Sequence, residues 1–228
     1  MHWEPKPTSS WILKNIAKVR DITMQSEYWN DSVQQSIFNT NAMYKDLRGR
    51  HENQSWRKLL IQNYARPRAC FTLWLAILNR LPSKDRLLKI NIHTDGKCSF
   101  CGQSESIEHL FFLCSFTSNI WNHVMAWIGY SRSCKGWEEE KKWLCMETAK
   151  KGWRRCLLKL AIAEVVYQVW QMRNDRIFNN KDADGDILHR IKQTIVIRSC
   201  AKRVLKNHMV FHILLQKKKL TVFIKFCN

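Results

Sequence analysis

The most informative segment of this chain reads CSFCGQSESIEHLFFLC and runs from Cys98 to Cys114. It places Cys98, Cys101, His109 and Cys114 in the order C-x2-C-x7-H-x4-C. Three thiolates and one imidazole complete the tetrahedral coordination of Zn²⁺, and four protein ligands leave no position for a reacting water. The segment therefore predicts one structural zinc ion per chain, held in a small CCHC zinc knuckle, and not a zinc enzyme.

The residues around the four cysteine and histidine side chains agree with this interpretation. Gly102 follows the second cysteine, where a positive φ is needed, and the apolar run 110–113 is available to pack against the knuckle. Two alternatives stay open at this stage. In a chain with nine cysteines the spacing could arise by chance, and His93, five residues before Cys98, could compete as a ligand or be an ordinary loop histidine.

Helical periodicity dominates the rest of the sequence. Between residues 157 and 170 apolar pairs recur four residues apart, which is typical of a helix that buries one side. Proline and glycine are few, and strand alternation is hard to find. The predicted fold is therefore mainly α, a helical domain with a small inserted CCHC zinc knuckle. Further helices are predicted from Ser115, as N-cap, to Gly129, from Ala69 to Arg80, from Ser83 to Lys89, and from Asp186 to about Lys206, with Ile187, Ile191 and Ile195 on one face.

The net charge of +19 is concentrated in two stretches. Residues 47–97 carry eleven Lys or Arg against three acids, and residues 187–228 carry ten against none. Such regions suit a polyanion, so RNA or DNA is the first predicted partner; an anionic membrane surface and a merely solubilising face are the alternatives. We expect no membrane association and no small-molecule substrate. The predicted nucleic-acid contacts are Arg66, Arg68, Lys84, Arg86 and Lys89, with Arg198, Lys202 and Arg203 as a second group.

No catalytic motif is visible in the sequence. It has no nucleophile elbow, no phosphate-binding glycine loop and no zinc-protease helix, so we expect no enzyme activity. The run Asp182 to Asp186 lacks the spacing of a calcium loop and is interpreted as a solvated turn. The start of the chain lacks a signal peptide, no stretch is long and apolar enough for a membrane helix, and the cysteine number is odd. These features predict an intracellular protein, nuclear or cytoplasmic, that is not secreted.

Several motifs together resemble the reverse-transcriptase zinc-binding domain, which lies at the C-terminus of the ORF2 polyprotein of plant LINE-type, non-LTR retrotransposons. The resemblance implies that Cys98, Cys101, His109 and Cys114 bind zinc and that the domain helps a polymerase hold template RNA or target DNA. It covers residues 44 to about 130 strongly, and 11–21 and 161–178 look like flanking sequence. The matching motifs are 71–76 (FTLWLA), 80–87 (RLPSKDRL), Cys98-x2-Cys101, Glu105, His109-Leu110-Phe111-Phe112-x-Cys114 and Ile120-Trp121.

The chain also departs from that family. It begins at Met1 without an upstream polymerase and contains no Tyr-x-Asp-Asp motif, so we expect a module that lacks the polymerase domain. The competing hypothesis is a protein-protein interaction module in which zinc is purely structural. The predicted organisation is an N-terminal flanking segment (1–43), the zinc-binding domain (44–130), a loop or linker (131–152), a C-terminal helical region (153–208) and an unrecognised basic and apolar tail (209–228).

Overall fold

A computed structural model describes residues 4–35, 37–49, 54–150, 152–181 and 186–201 of the chain. Within these ranges the protein is mainly helical and contains no strand, as predicted; one isolated antiparallel bridge joins Lys97 and Ser104. The predicted turn at 182–185, the contacts Lys202 and Arg203, and the tail 209–228 lie outside the described residues. None of the described helices has the length and apolar character needed to cross a membrane.

The chain divides into two compact units, Met1–Gln54 and Ser55–Asn228. The division falls at 54/55 and not at the predicted boundary of 43/44. The smaller unit contains α1 (Trp11–Met24), α2 (Glu27–Gln35) and α3 (Thr40–Arg48). Side-chain caps begin two of these helices. Ser10 Oγ accepts from Leu13 N at the start of α1, and Asn39 Oδ1 accepts from Asn41 N and Ala42 N at the start of α3.

The larger unit is built around one long helix. Its elements are α4 (Arg57–Leu60), α5 (Pro67–Ile77), α6 (Lys84–Lys89), a π-helical turn (His109–Leu113), α7 (Ser115–Trp127), α8 (Trp137–Glu147), α9 (Trp153–Asn179) and α10 (Ile187–Ala201). The 27-residue α9 packs against α5, α7 and α10, which explains why apolar residues cover most of its surface. The C-terminal helical region is therefore part of the same unit as the knuckle.

The predicted apolar stripes are the buried faces of these helices. Ile187, Ile191 and Ile195 are buried on α10, as predicted from their spacing of four. Trp121 and Val124 are completely buried on α7, and Gly129 has a φ of +90° just past its end. Ser115 is the first residue of α7 and Cys114 is the N-cap, so the predicted cap is displaced by one residue.

The prediction of a loop or linker over 131–152 is wrong for its central part, which forms α8. The acidic residues 138–140 occupy its first turn, where they interact favourably with the helix dipole. Trp137, Glu140 and Leu144 lie on its buried face. Glu140 occupies a buried position of α8 where an amphipathic helix normally has an apolar residue. Its carboxylate accepts from Arg132 Nη2 at 2.8 Å and from Trp121 Nε1 at 3.3 Å, which satisfies it in the core.

Candidate metal centre

The four predicted zinc ligands converge in the larger unit. Cys98 and Cys101 lie in the loop between α6 and the π-helical turn, His109 begins that turn, and Cys114 joins it to α7. Their ligand atoms all lie within 4.8 Å of one another. Across the described ranges, no other group of three or more Cys, His, Asp or Glu side chains is placed to hold a metal ion. His93 is exposed and is not part of this group.

The spacing of the ligand atoms suits a tetrahedral zinc ion. Zn–S bonds of about 2.3 Å and Zn–N bonds of about 2.0–2.1 Å place neighbouring ligands about 3.6–3.8 Å apart. Cys98 Sγ lies 4.0 Å from Cys114 Sγ, and Cys101 Sγ lies 3.0 Å from His109 Nε2. The two distances bracket the tetrahedral value, and the imidazole presents Nε2 to the sulfurs. The donor set therefore fits zinc.

The environment of the sulfurs favours a metal-binding thiolate. Cys98, His109 and Cys114 are buried, whereas Cys101 is half-buried and is the most accessible of the four. The hydrogen bond between the two buried sulfurs raises the pKa of Cys98 and lowers the pKa of Cys114 to about 4, because their shared proton stays on Cys98. Since the thiolate is the form that coordinates a metal, a sulfur pair that gives up one proton readily suits a metal centre.

The remaining described cysteines behave differently. Burial raises the pKa of Cys70 and Cys145, and it raises the pKa of Cys134 to about 12. These side chains therefore remain protonated thiols near neutral pH. All described cysteines outside the metal centre are buried or half-buried, namely Cys70, Cys134, Cys145, Cys156 and Cys200.

The knuckle is a tight turn closed by backbone hydrogen bonds. Gly102 has a φ of +77°, which confirms the predicted left-handed position, and its N–H donates to the carbonyl of Cys98 at 2.9 Å. The N–H of Cys98 in turn donates to the carbonyl of Gln103. These bonds hold Cys98 and Cys101 within the same tight turn.

A π-helical turn sets the spacing of the second ligand pair. The N–H of Cys114 donates to the carbonyl of His109, five residues earlier, at 2.7 Å. Five residues exceed one turn of an α-helix by about 140°, whereas the wider π-turn returns the chain nearly to the same side. Four of its five residues, His109 to Phe112, are buried, and this packing holds the wider turn in place.

Two arginines of α9 hold the knuckle from outside it. Arg176 Nη1 donates to the carbonyl of Ser99 at 2.5 Å, and its guanidinium lies 5.1 Å from the ring centroid of Phe100. Phe100 also stacks on Phe116 at 5.2 Å. Arg173 binds Glu105 in the same loop. These partners of the knuckle were not predicted; the available signal was the three-residue spacing that places Arg173 and Arg176 on one helix face.

The five predicted nucleic-acid contacts between residues 66 and 89 differ in their exposure and in their hydrogen-bond partners. Arg68 and Lys89 are exposed, and Lys89 Nζ lies 4.0 Å from Asp85 Oδ2 one helical turn earlier. Arg66, Lys84 and Arg86 have structural partners. Arg66 forms a two-point ion pair with buried Glu164, which raises the pKa of its guanidinium. Lys84 Nζ donates to Asp95 and to the carbonyl of Lys97, and Arg86 donates to the carbonyl of Asn79.

The second predicted group is only partly described. Arg198 lies on α10 and is half-buried, while Lys202 and Arg203 lie outside the described residues. Burial raises the pKa of the Cys70 thiol on α5, and the positive charge of Arg198 partly offsets this shift. The contact of Arg198 with nucleic acid stays a prediction.

The fold and the metal centre define the class of the module as a helical domain with a CCHC zinc knuckle. Residues 38–121 match the family described as zinc-binding in reverse transcriptase. The matched segment contains all four ligands, so the predicted resemblance to this zinc-binding domain is confirmed over that segment. Comparisons with curated proteins and with solved structures gave no match. α8, α9 and α10 lie beyond the matched residues.

Proposed function

We propose that this chain is a zinc-stabilised nucleic-acid-binding module, derived from the reverse transcriptase of a LINE-type retrotransposon of plant origin. The observation that carries the proposal is the convergence of Cys98, Cys101, His109 and Cys114 inside the segment that matches the zinc-binding family. Four protein ligands give zinc a structural task, so the module would act through the surface it presents and not through catalysis. Zinc-bound thiolates suit a reducing compartment, in keeping with a nuclear or cytoplasmic location.

The distribution of charge supports nucleic acid as the partner. Residues 47–97 have a balance of eleven basic to three acidic side chains, and Arg68, Arg80 and Lys89 of this stretch are exposed. Phosphate contacts by such side chains release condensed counterions, so the affinity falls steeply as salt is added. Because these contacts are made to the backbone, we expect little preference for sequence.

A titration of a labelled oligonucleotide at several salt concentrations tests this function. We expect binding at low salt, a steep loss of affinity as salt rises, and weaker binding by an Arg68→Ala/Lys89→Ala variant. Lys142→Ala is a matched control, because Lys142 is exposed on α8 in the nearly neutral middle of the chain. A zinc-loaded protein that binds neither RNA nor DNA at low salt would reject the proposal.

A second candidate function is suggested by α1. Its apolar side chains Trp11, Ile12, Ile16 and Val19 are 78%, 62%, 55% and 57% exposed. A continuous exposed apolar face of this kind is a common feature of protein interaction sites. In this alternative zinc only stabilises the fold and α1 binds another protein. It gains support if the titration shows no oligonucleotide binding while Trp11→Ala/Ile16→Ala abolishes a protein complex.

A further inference from the structure

A groove runs between α5 and α9 in the larger unit, bounded at one end by the turn before α6. Its volume is about 780 Å³, which is within the range of ligand-binding clefts. Aromatic side chains form much of its lining. Phe71 and Phe178 are 56% and 74% exposed, whereas Tyr167 is half-buried and Trp170 is buried. Two large aromatic faces are therefore open to a bound molecule.

The polar lining of the groove favours an anionic ligand. Among the described residues no Asp or Glu lines it, whereas exposed Arg68 and the amides of Gln171 and Asn174 do. The guanidinium of Arg66 lies 4.8 Å from the ring centroid of Tyr167, but the carboxylate of Glu164 balances its charge. The remaining charged lining residue, Arg173, is engaged with Glu105.

We propose that this groove binds unpaired bases of single-stranded RNA or DNA, with Phe71 and Phe178 as stacking surfaces and Arg68 at a phosphate. The proposal rests on the proposed nucleic-acid-binding function and specifies its site. Every base has a flat face that stacks on an aromatic ring, and a cationic rim follows the backbone without reading sequence. A duplex keeps its bases stacked on one another, so only unpaired nucleotides can use these rings. Exposed Arg68, a described lining without carboxylates and the net charge of +19 favour this occupant over a protein segment.

The test compares leucine and tryptophan at the same position. Phe71→Leu and Phe178→Leu keep an apolar side chain but remove the ring, and each should weaken binding of a single-stranded oligonucleotide at least about 5-fold, equivalent to about 1 kcal/mol for one stacked base. Phe71→Trp keeps a stacking surface and should keep the wild-type affinity. Met146→Leu is the control, since Met146 is 63% exposed on α8 and lies outside the groove. Both phenylalanines are exposed, so unchanged melting temperatures are expected.

Photocrosslinking of wild-type protein to an oligonucleotide containing 5-iodouracil gives evidence that does not depend on folding of the variants. Crosslinks at Phe71, Tyr167 or Phe178 support the groove. If wild-type protein binds no oligonucleotide at low salt, the proposed function and the groove proposal are both rejected. If it binds but the leucine variants keep full affinity, or the crosslinks lie elsewhere, only the groove proposal is overturned. Duplex binding as tight as single-strand binding, with the same losses on substitution, also overturns it.

Discussion

Arg173 and Glu105 form a buried ion pair that joins α9 to the zinc knuckle. Arg173 Nη2 lies 2.8 Å from Glu105 Oε1, and the two side chains are 3% and 0% exposed. The same carboxylate oxygen accepts from the backbone N–H of Lys84 at 2.8 Å, at the start of α6. The match to the zinc-binding family ends at residue 121, whereas Arg173 lies far beyond it. The knuckle is therefore supported by a helix outside the matched segment.

Replacing Arg173 by methionine should strongly destabilise the protein, because Glu105 would be left charged and buried without its partner. Removal of one member of a buried pair typically costs about 3–5 kcal/mol. Urea unfolding of zinc-loaded protein measures the change. The exposed Arg68→Met is the control, and the double variant Glu105→Gln/Arg173→Met should recover part of the loss. Equal stability of Arg173→Met and Arg68→Met would refute the role of the pair.

The cysteines should separate into two groups on alkylation. Cys134 has a pKa raised to about 12, so its sulfur stays a protonated, unreactive thiol near neutral pH and becomes a thiolate only in strong base. With zinc bound, Cys98, Cys101 and Cys114 should be protected. After zinc is removed by a chelator, Cys114, whose pKa is lowered, should react with iodoacetamide before Cys134, as read by mass spectrometry of peptides. Preferential labelling of Cys134 before chelation would contradict this expectation.

Basic residues should differ in how they affect nucleic-acid binding. Arg68→Ala should lower the slope of log affinity against log salt by roughly one, as expected for one lost phosphate contact, without changing the melting temperature. Lys84→Ala should lower the melting temperature, because Nζ of Lys84 holds Asp95 and the carbonyl of Lys97 at 2.7 and 2.8 Å. Salt titrations and thermal melts of both variants decide this. Identical effects on slope and melting would show that the distinction is wrong.

The purified chain should not synthesise DNA. Its sequence has no Tyr-x-Asp-Asp motif, so the paired aspartates that hold catalytic metal ions in a polymerase are missing. Primer-extension assays with Mg²⁺ and with Mn²⁺ measure this directly on RNA and DNA templates. Extension that persists through stringent purification would show that the chain carries a catalytic site after all.

The zinc ligands and most helices could be predicted from the sequence, because they depend on residues only a few positions apart. Cys98-x2-Cys101 and the Ile187, Ile191, Ile195 stripe are examples of this. The helix α8 was missed because buried Glu140, neutralised by Arg132, interrupts its apolar face. The sequence of residues 109–113 does not distinguish a π-helical turn from any other short apolar run.

Long-range partners could not be predicted from one sequence. Arg173 and Glu105 are 68 residues apart, and Arg176 contacts Ser99 over 77 residues. The sequence shows both the acidic residue and the arginines but gives no measure of their distance in space. The groove beside Phe71 was missed for the same reason, since it exists only because α5 packs on α9.

Zinc content of the purified chain, measured by inductively coupled plasma mass spectrometry, tests most directly whether Cys98, Cys101, His109 and Cys114 hold a structural ion. We expect about one zinc per chain, lost together with much of the thermal stability in Cys98→Ser/Cys114→Ser, because metal binding contributes directly to folding. The matched control Cys134→Ser/Cys156→Ser should keep the ion. Wild-type protein with little zinc, or a Cys98→Ser/Cys114→Ser variant with unchanged zinc and unchanged melting, would contradict the existence of this metal centre.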